Sequence, residues 1–191
     1  MAESLSPEFQ RTVPGGDTRE RDVCVRCGYI DYQNPKVVVG AVVSHEDRVL
    51  LCRRAIEPRR GYWTLPAGYL ELGETAEAGA AREAFEEAEA RITIEGVLAL
   101  YSISRIGQIQ VIYRAAFAGP PQFAAGTESL EVALFAWEEI PWGDIAFPSV
   151  HWALDAWRDA LGRPLGAPAG NPLHDARQTA RLNNAPGVAG L

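Results

Sequence analysis

The chain has 191 residues, 47% of them hydrophobic, enough for one domain with a core and for extensions at its ends. Its net charge of −7, with no long arginine run, argues against a sequence-independent nucleic-acid binder, which needs a basic face to neutralise phosphates. The longest apolar run, residues 37–43, is far shorter than a membrane span, and Glu3, Ser4, Ser6, Pro7 and Glu8 form no export signal, so a cytoplasmic protein is expected.

Residues 1–22 are polar and punctuated by Pro and Gly, and read as a flexible segment before a folded domain over 23–161. Near the start of that domain Cys24 and Cys27, followed by Gly28, have the spacing of half a zinc knuckle. Structural zinc takes four ligands. A turn that keeps two thiols without the metal is therefore favoured over a complete Zn²⁺ site, and an odd count of three cysteines argues against a disulfide framework. Residues 36–43 and 49–53 read as strands joined by a polar turn, and 62–65 as a short strand stopped by Pro66. A helix rich in Ala and Glu is predicted over 75–89, with Thr75 as its N-cap. Strands follow at 92–103, 108–117 and 130–137, where β-branched and aromatic residues alternate with others. Val150, Leu154, Trp157 and Leu161 recur at helical spacing and predict a closing amphipathic helix. Beyond it, 162–191 is rich in Gly, Pro, Ala and Asn without period and reads as a flexible tail. The order of elements is α+β, not a βαβ alternation.

On the first helix Glu83, Glu86 and Glu87 fall within about a quarter of the circumference, together with Ala76, Gly79 and Ala80. Phe85 points nearly the other way, beside Ala78, Ala81 and Ala88. An uncrowded acidic face and a burying Phe85 face are expected. Like charges at i,i+4 cost about 0.2–0.5 kcal/mol on an exposed helix, so something should compensate. Hard oxygen ligands around an open space suit Mg²⁺ or Mn²⁺.

The full pattern is Gly68, five residues, Glu74, seven residues, Arg82-Glu83, two residues, Glu86-Glu87. It resembles the signature of the Nudix hydrolase family, with six of seven fixed positions present. The departure is Glu89, where a glycine would end the helix in the left-handed conformation. The resemblance implies a Nudix-type α/β/α sandwich with a mixed sheet and a catalytic loop–helix–loop. It implies Mg²⁺ or Mn²⁺ held by Glu83, Glu86 and Glu87, with the carbonyl of Ala67 or Gly68 as a weaker ligand. Arg82 and Glu74 would be the ion pair that fixes the loop against the helix. The reaction implied is attack of water on a diphosphate phosphorus. The signature does not fix the general base, which is often a helix glutamate such as Glu86 or a carboxylate on a later loop; here Glu128 is the first loop candidate and Glu131 the second.

Residues 24–36, 61–68, 128–131 and 146–148 resemble the ADP-ribose and FAD pyrophosphatase branch of that family. The partner implied is a small nucleotide, with no nucleic acid and no membrane, and a homodimer is left open. Alternatives are hydrolysis of NADH or of an oxidised nucleoside triphosphate, and a nucleotide-sensing module that does not cut. The complete set of carboxylates favours the enzyme.

Overall fold

A computed structural model describes residues 8–173 as two compact units, divided between Pro35 and Lys36. Residues 1–7 and 174–191, parts of the segments read as flexible, lie outside the described residues.

The first unit is a small antiparallel sheet of β1 (Phe9–Thr12), β2 (Arg21–Cys24) and β3 (Ile30–Asp31). Most of it falls in the stretch expected to be flexible. What periodicity missed is a hairpin held by polar contacts: Arg11 bonds Asp22 across it, and Asp17 accepts from the backbone of Thr18 and Arg19 and from Arg21 Nε. The Arg21 guanidinium holds the Asp17 carboxyl below the usual carboxylate range. At its far end Gly28 donates its N–H to the Cys24 carbonyl and takes a positive φ of 75°, which closes the cysteine turn.

The second unit is built on a mixed sheet. β4 (Lys36–His45) runs parallel to β9 (Gln108–Phe117) and antiparallel to β5 (Arg48–Arg54). With β8 (Ile92–Ile103) and β10 (Ser129–Ala136) the order is β10-β5-β4-β9-β8. β4 and β5 pair only near their turn; beyond it β6 (Trp63–Thr64) pairs with β5 and β7 (Ala67–Tyr69) with β4. β7 was not expected, because its Ala-Gly-Tyr sequence has no strand pattern. Successive residues of β4 point to opposite faces. Val39, Ala41 and Val43 pack with Ala80 and Ala88 of α1 (Ala76–Ala88), while Val42 packs with Val150, Leu154 and Trp157 of α2 (Pro148–Ala160). The result is a sheet between two helices, an α+β sandwich.

Two expectations are corrected. On α1 the buried stripe is Gly79, Ala80, Glu83, Ala84, Glu87 and Ala88, so two of the three glutamates lie on the buried face. Phe85 is exposed instead, under the Arg91 guanidinium at 5.1 Å. Small residues at 79, 80 and 84 let the helix approach the sheet closely, and that closeness decides which face is buried. The chain past 162 is also ordered as far as it is described. Ala169 exchanges backbone hydrogen bonds with Leu98 and Leu100, and the Asn171 amide pairs with both backbone groups of Ser102. No helix among the described residues is long and apolar enough to cross a membrane.

Candidate active site

The site begins at a helix start. Thr75 caps α1 by accepting the Ala78 N–H at 3.2 Å. One residue earlier Glu74 turns back to the loop, where its Oε1 accepts the Glu71 N–H at 2.8 Å. Gly79 faces that carboxylate across the first turn, and a Cβ there would meet Glu74, Val39 and Leu70 at once.

Arg82 is the hub. Its Nε and Nη2 fork onto the two oxygens of Glu74 at 3.1 and 2.8 Å, a bidentate pair. Nη1 donates to Glu83 Oε1 at 2.7 Å and to Glu86 Oε2 at 2.9 Å, and Nη2 also donates to the Tyr69 carbonyl at 3.0 Å. One guanidinium thus ties the loop, β7 and three carboxylates together. Its hydrogen bonds lower the Glu74 pKa to about 2 and raise that of Arg82, with Glu74 the largest cause for the arginine.

Glu83 packs directly over Gly68, with its carboxylate where a Cβ at 68 would stand, so any side chain there would evict it. Burial pushes the Glu83 carboxyl up, against the pull of Arg82. Glu87 is buried deeper, and its Oε2 accepts the Ala67 N–H at 3.0 Å. Desolvation raises its pKa to about 8, opposed by that hydrogen bond and reinforced by the Glu83 charge. Glu86 keeps a 55% exposed side chain. The helix end follows the signature despite its departure: Glu89 takes φ 49°, the left-handed conformation, and donates its N–H to the Phe85 carbonyl, while the next N–H, of Ala90, donates to the Ala84 carbonyl.

Glu128 stands just before β10, and its charge is felt by both Glu83 and Glu87. Its carbonyl accepts the Ala55 N–H at 2.7 Å. Glu131 is drawn to Arg53 at 3.5 Å instead. Among the described residues no three His, Cys, Asp or Glu side chains already stand close enough to hold one ion. The donors nonetheless fit a hard divalent cation: oxygen ligands on successive turns of one helix, two of them desolvated, with Arg82 now supplying the balancing positive charge.

Sequence reasoning missed Arg54, whose charge opposes the rise of the Glu87 pKa. Strand alternation was the available signal, since Cys52 of the same strand packs in the α1-side core and Arg54 is two residues on. In the first unit Cys24 is buried, Cys27 is exposed, and residues 1–35 contain no other cysteine and no histidine. Two thiols supply half of a four-ligand set, so these residues do not complete a zinc site by themselves.

The NUDIX domain profile matches residues 34–155 and the Nudix N-terminal zinc-ribbon profile residues 7–33. A crystal structure of a NUDIX hydrolase from Nitrosomonas europaea is 44% identical, with a TM-score of 0.81 over 89% of this chain and 97% of that one. A MutT-like protein from Streptomyces ambofaciens is 34% identical over 54% of this chain and 64% of its own length. An ADP-ribose pyrophosphatase from Methanocaldococcus jannaschii is 34% identical over 37% of this chain and 42% of its own. The chain therefore spans less than two thirds of these two curated relatives.

Proposed function

The chain belongs to the NUDIX domain family, and on that premise we propose that it hydrolyses the diphosphate bond of a nucleoside diphosphate linked to a second group, ADP-ribose first and FAD second. The observation that carries this reading is the packing of Glu83 and Glu87 against Gly68 and Ala67, with Glu86 beside them and Arg82 locking the loop. A set that served solubility would not bury two carboxylates.

Glu83, Glu86 and Glu87 would hold Mg²⁺ or Mn²⁺, with a carbonyl of Ala67 or Gly68. Bound there, the ion would lower the pKa of the attacking water and offset charge on the phosphates. Glu128 takes the proton of that water as its oxygen bonds to one phosphorus. The bridging P–O bond breaks, and the leaving phosphate carries the electron pair away. With ADP-ribose the products are AMP and ribose 5-phosphate; with FAD they are AMP and FMN. Arg82 and Glu74 position the loop and do not touch the reacting atoms. Similarity to a relative named ADP-ribose pyrophosphatase supports the order of substrates.

The test is product analysis over ADP-ribose, FAD, NADH and oxidised nucleoside triphosphates with Mg²⁺ or Mn²⁺. A kcat/KM for ADP-ribose and FAD at least tenfold below that for NADH or an oxidised triphosphate would overturn the substrate choice.

A further inference from the structure

The only lysine in the chain stands beside an exposed tyrosine, one residue past the glycine under Glu83. Lys36 Nζ lies 5.2 Å from the centre of the Tyr69 ring, a cation–π contact. The Tyr69 hydroxyl accepts from Gln108 Nε2 at 3.2 Å, and Gln108 Oε1 accepts from Gln110 Nε2 at 3.3 Å. Strand register brings the four together: Lys36 is opposite Gln108, and Val38 has Gln110 on one side and Tyr69 on the other.

Alternation places them on the sheet face away from α1. Val37, Val39 and Val111 pack in the α1-side core, whereas Val42 and Ile112, an even number of residues from Lys36 and Gln110, pack with α2. Yet α2 does not cover this end of its face. Tyr69 is 50% exposed, Lys36 is exposed, and Val38, Gln108 and Gln110 are partly exposed.

We propose that Lys36, Tyr69, Gln108 and Gln110 form the subsite for the nucleoside end of the substrate, and that its base is adenine. This rests on the hydrolase reading above. Three features carry it. The first is proximity: Tyr69 follows Gly68, which touches Glu83, and its carbonyl is held by Arg82. The subsite thus lies one residue from the carboxylates on the opposite face of the short strand β7, which pairs only with β4, and a nucleotide with its diphosphate at the glutamates would pass around that strand to reach it. The second is hydrogen-bonding capacity. Gln110 spends one N–H on Gln108 and keeps its carbonyl oxygen and second N–H, an acceptor and a donor side by side. That pair matches the adenine N6–H and N7 edge. A half-exposed aromatic ring adds a stacking surface of the kind that binds bases without regard to sequence. The third is charge, since Lys36 offers a cation to a polyanionic ligand on a chain of net charge −7.

Calorimetric titration of the full chain with AMP in the presence of Mn²⁺ tests the subsite, alongside steady-state kinetics on ADP-ribose. Tyr69→Leu and Gln110→Leu are each expected to weaken AMP at least fivefold and raise the KM for ADP-ribose by a similar factor, with kcat within twofold. Gln110→Leu should also narrow the preference for AMP over IMP. Lys36→Met, on an exposed side chain, gives a second reading that does not disturb packing, with the same weakening of AMP expected. Unchanged AMP affinity in all three variants overturns the subsite, whether or not the chain turns over ADP-ribose. Loss of AMP affinity in a chain that hydrolyses no nucleoside diphosphate derivative supports the subsite and overturns the hydrolase reading instead.

Discussion

Gly126 lies so close to the Glu86 carbonyl that even the methyl group of alanine has no room between them. Its own N–H donates to Glu87 O at 3.1 Å, and Ala124 N–H to Ala88 O at 2.9 Å, so this loop satisfies carbonyls left open at the end of α1. The same loop ends in Glu128. The helix that carries the candidate ligands therefore also sets the height of the candidate base.

Gly126→Ala should push the loop off the helix and displace Glu128. Overpacking of this kind costs about 1–3 kcal/mol, which in a chain of this size lowers the melting temperature by roughly 2–12 °C. We expect kcat to fall at least tenfold with KM little changed. Native kcat in a folded variant would show that the loop does not position the base.

Glu86→Gln and Glu87→Gln should each reduce kcat by at least ~100-fold, because each would remove ligand charge from the proposed metal site. Their stabilities should differ from those of ordinary core lesions. Glu87 is buried against an N–H that an amide oxygen can also satisfy, so the metal-free Gln variant should melt no lower than wild type at pH 8. Turnover close to native in either variant would remove that residue from the ligand set.

The Glu87 pKa, raised from 4.5 to about 8, makes the metal-free protein bind one more proton folded than unfolded across that interval. Its stability should therefore decline as pH rises from about 4.5 to 8 through this group. Mn²⁺ needs the carboxylate and should release a proton at pH 7, seen as a dependence of the binding heat on buffer ionisation enthalpy. Glu74 behaves oppositely: held at about 2, it stabilises the fold above pH 4.5, and that contribution is lost as pH falls towards 2. Binding heats that ignore the buffer would show that Glu87 is already ionised.

Glu89→Gly should stabilise the chain. A non-glycine residue at φ 49° carries a left-handed penalty that glycine lacks, worth about 1 kcal/mol, or roughly 2–4 °C in melting temperature. Activity should not change, since Glu89 bonds through its backbone. A lower melting temperature would mean that the Glu89 side chain contributes more than its backbone costs.

Ending the chain after Gly162 removes Leu165 from its contact with Gly96 and the hydrogen bonds of Ala169 and Asn171 along β8. A drop in melting temperature of at least ~5 °C is expected, and thermal denaturation of the shortened chain measures it.

Strong periodicity made the long strands and both helices legible, because β-branched alternation and the Val150–Leu154–Trp157 spacing each report a buried stripe. The shared face of the helix carboxylates was legible for the same reason. Their burial could not, since periodicity places Glu83 and Gly79 on one side but does not say that glycine and alanine there allow the sheet to approach. β7 escaped notice because it is three residues long and owes its pairing to β4. The β1–β2 hairpin escaped because ion pairs and an aspartate turn hold it, and these leave no hydrophobic pattern. Residues 163–171 were misjudged for a related reason: backbone groups of Ala169 and the Asn171 amide make their contacts, and composition is silent about both.

That asparagine has a consequence for solubility. β8 is twelve residues long and ends the sheet, and an open strand edge of that length invites pairing with another chain and growth into aggregates. Ala169 occupies one stretch of the edge with main-chain bonds, and at Ser102 a side chain imitates a strand, presenting one donor and one acceptor where a peptide would. An edge closed by an amide side chain offers no further strand edge at that point, so the row of free donors and acceptors stops there instead of being passed outward to the next molecule.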